Sequence, residues 1–313
     1  MVNGKRVAVV VPAYNEERLV GTTLAGIPDF VDRVIVVDDA STDGTVAAVR
    51  AHQDERVRLV EHERNGGVGA AIVSGYEAAL AEGVDVTCVM AADNQMDPAD
   101  LRTLVDPVAR GEVDYAKANR LVTGEAWQLI PRTRYLGNAV LSLLTKIASG
   151  YWHVADSQTG YTAISHRVLA QLDLRRIYRG YGFPNDMLVH LNVWNARVRD
   201  FPSRPVYGVG EQSGIKLHKV VPRISWLLLK GFFWRLREKY VIRDFHPLVF
   251  FYALGLLMTV VGLVLGLVEV LLRLQGNEIT TPTIVLVALL LISGSQFTLF
   301  AMWFDMESNK DLR

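Results

Sequence analysis

The sequence predicts an α/β domain built on a mainly parallel sheet with helices on both faces, followed by an amphipathic helix and a two-helix transmembrane hairpin. Three observations carry that prediction. Strand-like and helix-like segments alternate through roughly the first 120 residues, a basic segment follows, and two long uncharged runs lie near the C-terminus. The β-branched runs Val7–Val11, Val34–Val37, Val57–Val60, Val86–Met90 and Val113–Ala116 read as strands. Between them Glu16–Ile27, Thr45–His52, Val68–Ala81 and Pro98–Arg110 read as helices. Alternation at this spacing gives a parallel sheet covered on both sides. Its ligands belong outside the carboxyl ends of the strands.

Past residue 120 the alternation fails. Gly137–Ser149 reads as an amphipathic helix and Asp186–Val193 as the start of another, while Asp156–Ala163 (DSQTGYTA) and Gly180–Asp186 (GYGFPND) read as loops. With no internal repeat or linker, residues 1–215 are expected to form one compact domain. Residues 216–246 are a basic juxtamembrane segment: from Lys216 to Arg243 eight basic residues face one acid, Glu238. Ile224–Tyr240 sets Trp226, Phe232, Phe233 and Trp234 beside those charges, the pattern of a helix lying along a membrane interface. Leu248–Val268 carries no charge over 21 positions and Ile279–Phe304 none over 26. Each covers roughly 30–39 Å as a helix, enough for a hydrocarbon core of about 30 Å. The expected spans are 247–273 and 279–304, turned at Gly276-Asn277, with 305–313 as a tail. The basic flank places the large domain and the tail in the cytoplasm.

Composition narrows the function classes. Lys+Arg and Asp+Glu both number 33, which gives no reason to expect a nucleic-acid partner. The single cysteine, Cys88, forms no internal disulfide, fits a reducing compartment and reads as core. The apolar run at Val7–Val11 is too short for a signal peptide. The seven histidines show no metalloprotease spacing.

The polar clusters fall at strand ends: Pro12-Ala13-Tyr14-Asn15-Glu16, Asp38-Asp39, Asn65-Gly66-Gly67 and Asp93-Asn94-Gln95. Capping a helix start needs one Ser, Thr or Asp, yet Asp38-Asp39-Ala40-Ser41-Thr42-Asp43 offers two adjacent carboxylates. Paired acids repel and call for hydrogen-bond donors beside them, such as a ribose hydroxyl or a base N–H. Asn65-Gly66-Gly67-Val68-Gly69 lets a phosphate approach backbone amides at a helix start. Ile72 stands where a third glycine would complete a dinucleotide fingerprint, which argues against a membrane-tethered oxidoreductase.

These motifs in this order, VVVPAYNEE, VDDASTDGT, the glycine turn and AADNQMDP, resemble family 2 inverting glycosyltransferases of GT-A fold. Over residues 5–245, and with the hairpin, the chain is similar to the polyprenyl-phosphate branch that includes dolichyl-phosphate mannose synthase. The resemblance implies an enzyme that moves one sugar from a UDP- or GDP-sugar to a polyprenyl or dolichyl phosphate. It implies Pro12, Tyr14, Glu16, Asp38, Asp39, Gly66, Gly67 and Asp93 at the nucleotide, and Asp93 and Gln95 at a Mg²⁺ or Mn²⁺ ion. It places Arg120, Arg134, Ser213 and Lys216 at the lipid phosphate. Asp156, in DSQTGY, and Asp186 fall at acids near the sugar and the acceptor, so that Asp93, Asp156, Asp186, Arg120 and Arg134 form the catalytic set.

One position departs from the pattern. Ala91 stands where the first acid of the family's D-x-D belongs, so the metal is expected to be held more loosely and to exchange between Mg²⁺ and Mn²⁺. Asp93 and Gln95 lie two apart and point the same way if the segment is extended. Asp97 then caps the next helix, with Pro98 at its first position. Ala91 also favours an alternative, a catalytically silent nucleotide-binding membrane adaptor. Transfer to another membrane acceptor such as a polysaccharide is a further alternative, although two spans and no Q-x-x-R-W motif argue against a processive synthase. Gly255, Gly262 and Gly266 suit close helix packing, within the hairpin or in a homo-oligomer.

Overall fold

The computed structural model describes residues 1–122, 132–204, 206, 217–276, 278 and 280–313, without the side chains of 132–136, 138 and 217–219. Its contacts divide into two units, Met1–Phe233 with Asp311–Arg313, and Trp234–Lys310.

The first unit is built on seven strands: β1 (Val7–Ala13), β2 (Arg33–Asp38), β3 (Val57–Glu61), β4 (Val86–Val89), β5 (Tyr115–Asn119), β6 (Thr162–Ser165) and β7 (Val198–Pro202), in the order β3-β2-β1-β4-β6-β5-β7. Pairing is parallel except at β6, which runs antiparallel to both β4 and β5. Successive strand residues face opposite ways, so an uninterrupted apolar strand feeds two cores. Val7, Val9 and Val11 join one cluster with Leu24, Leu101, Leu104 and Val108. Ala8 and Val10 join the other, with Ile72, Tyr76, Phe183 and Leu188. Helix Val68–Ala81 approaches β1 closely at Gly75, where a Cβ would lie 2.2 Å from Val10 Cγ1. Cys88 is core as expected, and burial pushes its thiol up.

The sequence reading needs three adjustments. Glu16–Ile27 yields a helix only over Val20–Ala25, because Glu16 to Leu19 form a turn laced to the loop after β2. The strand expected at Val113–Ala116 is Tyr115–Asn119, shifted because Asp114 and Tyr115 both donate their amides to Arg197 O at the strand's start. Past residue 120 two further strands appear: Thr162 and Ala163, read as loop, open β6, and β7 was not foreseen. Both are four or five residues long, too short for a periodic signal. Asp97 does cap the next helix, accepting from Ala99 N at 2.9 Å with Pro98 first inside a single 3₁₀ turn that leads into Leu101–Ala109.

Helix Leu217–Arg237 buries Ile224, Leu228 and Phe232 at four-residue spacing and exposes Trp226, Leu229 and Phe233, with Lys230 Nζ 5.3 Å from the Trp226 ring centre. It passes into a π-helical turn, Glu238–Arg243.

In the second unit, helices Leu248–Leu274 and Thr281–Ser308 pack against each other and expose most of their apolar side chains, which makes them candidate membrane spans by length and composition. Two Gly-x-x-x-Thr steps interlock. A Cβ on Gly255 would lie 2.6 Å from Thr298 Oγ1, and one on Gly294 2.5 Å from Thr259 Oγ1. The glycines at 255 and 262 are thus covered by the partner helix within the hairpin. At its base Arg235 donates two hydrogen bonds to Asp305 (2.8 and 2.7 Å), and Tyr240 a third at 2.6 Å, all fully or nearly fully buried.

Candidate active site

The strand directions explain how one site is assembled. In the parallel strands β1, β2, β4, β5 and β7 the carboxyl ends share one edge of the sheet. Antiparallel β6 enters at that same edge, since Thr162 at its start is level with Val89 and Lys117. The loops after β1, β2, β4 and β5, and the loop before β6, therefore converge.

The loops after β1 and β2 are tied by side chains that take up backbone amides. Asn15 N donates to Ser41 Oγ, Thr42 N to Asn15 Oδ1 and Glu16 N to Thr45 Oγ1, at 2.8–2.9 Å. Asn15 and Ala40 adopt positive φ at these bends. Tyr14 is half exposed beside them.

Asp38 and Asp39 are both buried but serve differently. Asp38 Oδ2 accepts from Ser41 N at 3.0 Å, and its Oδ1 has no hydrogen-bond partner among the described residues. Asp39 accepts from Gly66 N (2.8 Å), Gly67 N (2.7 Å) and His62 Nδ1 (2.8 Å). His62 Nε2 meets Ser74 Oγ at 2.9 Å, which fixes the tautomer with the proton on Nδ1 if the serine donates. The amides of Gly66 and Gly67 thus face Asp39, where the sequence reading had offered them to a phosphate. The glycines have a second reason to be glycine: Gly67 sits at φ 90°, and a Cβ there would lie 2.7 Å from Arg179 O.

The segment Ala91–Asp97 is a turn and not the extended stretch expected. Asn94 sits at φ 56°, and Gln95 N donates to Asp93 Oδ1 at 3.1 Å. Glu16 belongs to the same corner. Burial first, then the charges of Asp93 and Asp43, push its carboxyl up to about 7. Carboxylates brought together in this way are a donor set that suits a hard divalent ion. Among the described residues no three His, Cys, Asp or Glu side chains form a metal cage by themselves. A metal held here fits only with oxygens from the ligand beside Asp93 and Gln95.

Of the remaining candidates, Arg120 at the end of β5 and Asp156 in the loop before β6 are brought together. Arg120 grips Asp156 from three positions: Nε to Oδ2 at 2.8 Å, Nη2 to Oδ1 at 3.2 Å and its own backbone N to Oδ2 at 3.3 Å. Burial raises the Asp156 carboxyl, but the Arg120 charge and hydrogen bonds, with Lys117 nearby, outweigh it and hold Asp156 below the usual range. Tyr161 OH reaches back to Asp97 O at 2.9 Å, joining this corner to the Asp93 turn. Asp186 accepts from Tyr178 N at 2.8 Å, and burial pushes it up to about 6. His190, four residues on, is driven down to about 4 by burial, so it is neutral at pH 7. Arg134 lies in the first turn of a described helix, Arg132–Ser149, but its side chain lies outside the described residues, as do Ser213 and Lys216 altogether.

Sequence reasoning missed Asn15, Ser41, His62, Lys117 and Asp200. Asn15 and Ser41 lay inside the quoted motifs and were legible as loop ties. The other three carry no local pattern.

Comparison with known proteins places this geometry. The model of glycosyl transferase family 2 matches residues 8–173. An undecaprenyl-phosphate mannosyltransferase of Micrococcus luteus is 33% identical over 202 residues, covering 63% of this chain and 82% of that protein. A UDP-N-acetylglucosamine–dolichyl-phosphate N-acetylglucosaminyltransferase of Methanococcus voltae is 27% identical, covering 65% and 86%. Glucosyl-3-phosphoglycerate synthase from Mycobacterium tuberculosis, crystallised with UDP, superposes with a TM-score of 0.56 at 22% identity, over 74% of this chain and 80% of that one. Crystals of the same enzyme also hold UDP with Mn²⁺ or Mg²⁺.

Proposed function

The chain belongs to glycosyl transferase family 2, and from that premise we propose that it transfers one sugar from a nucleotide sugar to a polyprenyl phosphate at a membrane surface. One observation carries the choice of acceptor: a single chain joins the family's catalytic fold to two helices apolar enough to cross a bilayer, where such an acceptor resides. The relatives named for dolichyl and undecaprenyl phosphate acceptors support it. The catalytic unit and the tail then lie on the cytoplasmic face, beside the basic juxtamembrane segment.

Each residue's work follows from its surroundings. Pro12, Tyr14 and Glu16 line the nucleotide, with Asp38 offering its unpartnered oxygen to a hydroxyl or N–H of the ligand. Asp39, with Gly66 and Gly67, keeps the shape of that wall. Asp93 and Gln95 would hold Mg²⁺ or Mn²⁺ against the diphosphate, where the ion supplies Lewis-acid stabilisation of the leaving group. The lipid phosphate is already anionic at pH 7, so it attacks the anomeric carbon without a general base. The C–O bond to the nucleotide breaks as the new one forms, with inversion. Such a nucleophile needs cations to place it, the work of Arg120, Arg134 and Lys216, with Ser213 at the same phosphate. Asp156 and Asp186 orient these groups and remove no proton.

The test offers purified full-length protein a panel of UDP- and GDP-sugars with a short polyprenyl phosphate, with Mg²⁺, Mn²⁺ or chelator. A lipid-linked sugar from one donor, lost on chelation, is expected. Ala91 favours a second reading, a nucleotide-binding adaptor, which no product from any donor would establish over transfer.

A further inference from the structure

Lys117 is an unusual residue for the middle of a strand. It lies on β5 with no exposed surface, and its Nζ donates to Thr159 O. Across the sheet its register partner on β7 is Asp200. Asp200 accepts from Ala155 N at 2.6 Å and Asn119 Nδ2 at 3.1 Å, while its Oδ1 is buried without a hydrogen-bond partner among the described residues. The loop that carries Asp156 is therefore held on both flanks by these residues, at Ala155 by Asp200 and at Thr159 by Lys117. A buried cation and anion are costly to desolvate and persist only where each is compensated. Here the compensation is shared: Lys117 and Arg120 against Asp156 and Asp200, two charges of each sign. These are the charged groups around Lys117 from every element packed on it, Asp156 from the loop before β6, Asp200 from β7 and Arg120 from the end of β5.

The proposed function gives Arg120 two anions to serve, since it is paired with Asp156 yet is meant to meet the acceptor phosphate. We propose that Lys117 and Asp200 are positioning residues that hold the Asp156 loop and leave Asp156 a second cation when Arg120 turns to the acceptor. This rests on the transfer reading above. Lys117 cannot reach the acceptor itself, being fully buried with its amine on Thr159 O. Its charge acts through Asp156. Burial pulls the Lys117 amine down to about 8 and pushes Asp200 up to about 6, so both are still charged at pH 7.

The sign of the effect is fixed. Removing the Lys117 charge raises the pH at which Asp156 ionises, whereas Asp200, pushed up to about 6, is already protonated where Asp156 titrates and its removal leaves that pH unchanged. The experiment measures pH–rate profiles of the full chain in detergent, with a nucleotide sugar and a short polyprenyl phosphate, for wild type, K117M, D200N and the double variant. In K117M the acid limb should move up by about one pH unit, the low end for a lost neighbouring charge. That is about a tenfold loss on the limb, with KM for the nucleotide sugar unchanged. D200N should leave the limb in place, and the double variant should move it up as K117M does. Methionine keeps the aliphatic volume but leaves Asp156 and Asp200 one cation short, so K117M should unfold below the wild-type temperature and the double variant, which removes one charge of each sign, closer to it. If K117M fails to fold, the same upward shift in the double variant decides. An acid limb at the wild-type pH in folded K117M and in the double variant would overturn the proposal. A wild type that makes no lipid-linked sugar would instead fail the transfer reading.

Discussion

The β1–β2 corner of the candidate site, proposed for the nucleotide, and the β5–β7 corner, proposed for the acceptor, are held by different forces. Between the ends of β1 and β2, short polar side chains take up backbone amides: Asn15, Ser41, Thr45 and Asp43 bind partners no more than 29 residues away. At the ends of β5, β6 and β7 the structure rests on charges brought from residues 117, 120, 156 and 200. A neutral hydrogen bond contributes about 1 kcal/mol and is local. A buried charge whose partner is lost costs about 3–5 kcal/mol, and its partner lies anywhere in the chain. The first corner is therefore tolerant and the second brittle.

The largest expected effect tests that brittleness. Asp156→Asn leaves Arg120 and Lys117 without their shared anion, and should lower the unfolding free energy by about 3 kcal/mol and cut transfer at least a hundredfold, about 2.7 kcal/mol in the barrier. Denaturant melts and initial rates measure both. A variant as stable and active as wild type would show that the acceptor corner is not held by charge. On the nucleotide side, His62→Ala removes one of three donors to Asp39 and should cost only about 1 kcal/mol. Calorimetric titration with UDP and GDP should find a severalfold weaker complex. A loss as large as that of Asp156→Asn would erase the contrast.

That contrast also sorts what was legible. The first five strands, the helical segment opened by Asp97-Pro98 and both candidate spans were readable because their patterns are contiguous: β-branched runs, an Asp-Pro start, uncharged stretches of 21 and 26 residues. The nucleotide-side candidates were readable for the same reason, lying in unbroken motifs at strand ends. What the sequence hid was the way Asp39 is used. Nothing in VDDASTDGT says that its second carboxylate will be occupied by His62 and two glycine amides. Lys117 and Asp200 were hidden more deeply, since a lysine in YAKAN reads as an exposed strand residue until the register opposes it to Asp200. β6 escaped because four residues after a Gly-rich loop carry no period.

Two smaller effects sharpen the metal corner. Ala91→Asp restores a second carboxylate beside Asp93 and should lower the Mn²⁺ concentration for half-maximal activity severalfold. An unchanged requirement would place the ion away from residue 91. Glu16→Gln removes a carboxyl whose folded-state pKa is raised to about 7 from 4.5. A raised acid destabilises the fold where it is ionised, so the variant should melt higher than wild type above pH 7, in metal-free buffer. The gain should fade as pH falls and vanish below about 4.5. A gain at low pH and none at high pH would mean that Glu16 is not crowded by Asp93 and Asp43.

The central claim is that the acceptor is recognised by its phosphate. Full-length protein given a nucleotide sugar it accepts, with equal amounts of a polyprenyl phosphate and the corresponding polyprenol, tests it by mass spectrometry. The expected product is the sugar on the polyprenyl phosphate alone, with the free alcohol unconsumed. Sugar transferred to the alcohol, or to neither lipid, would contradict the account.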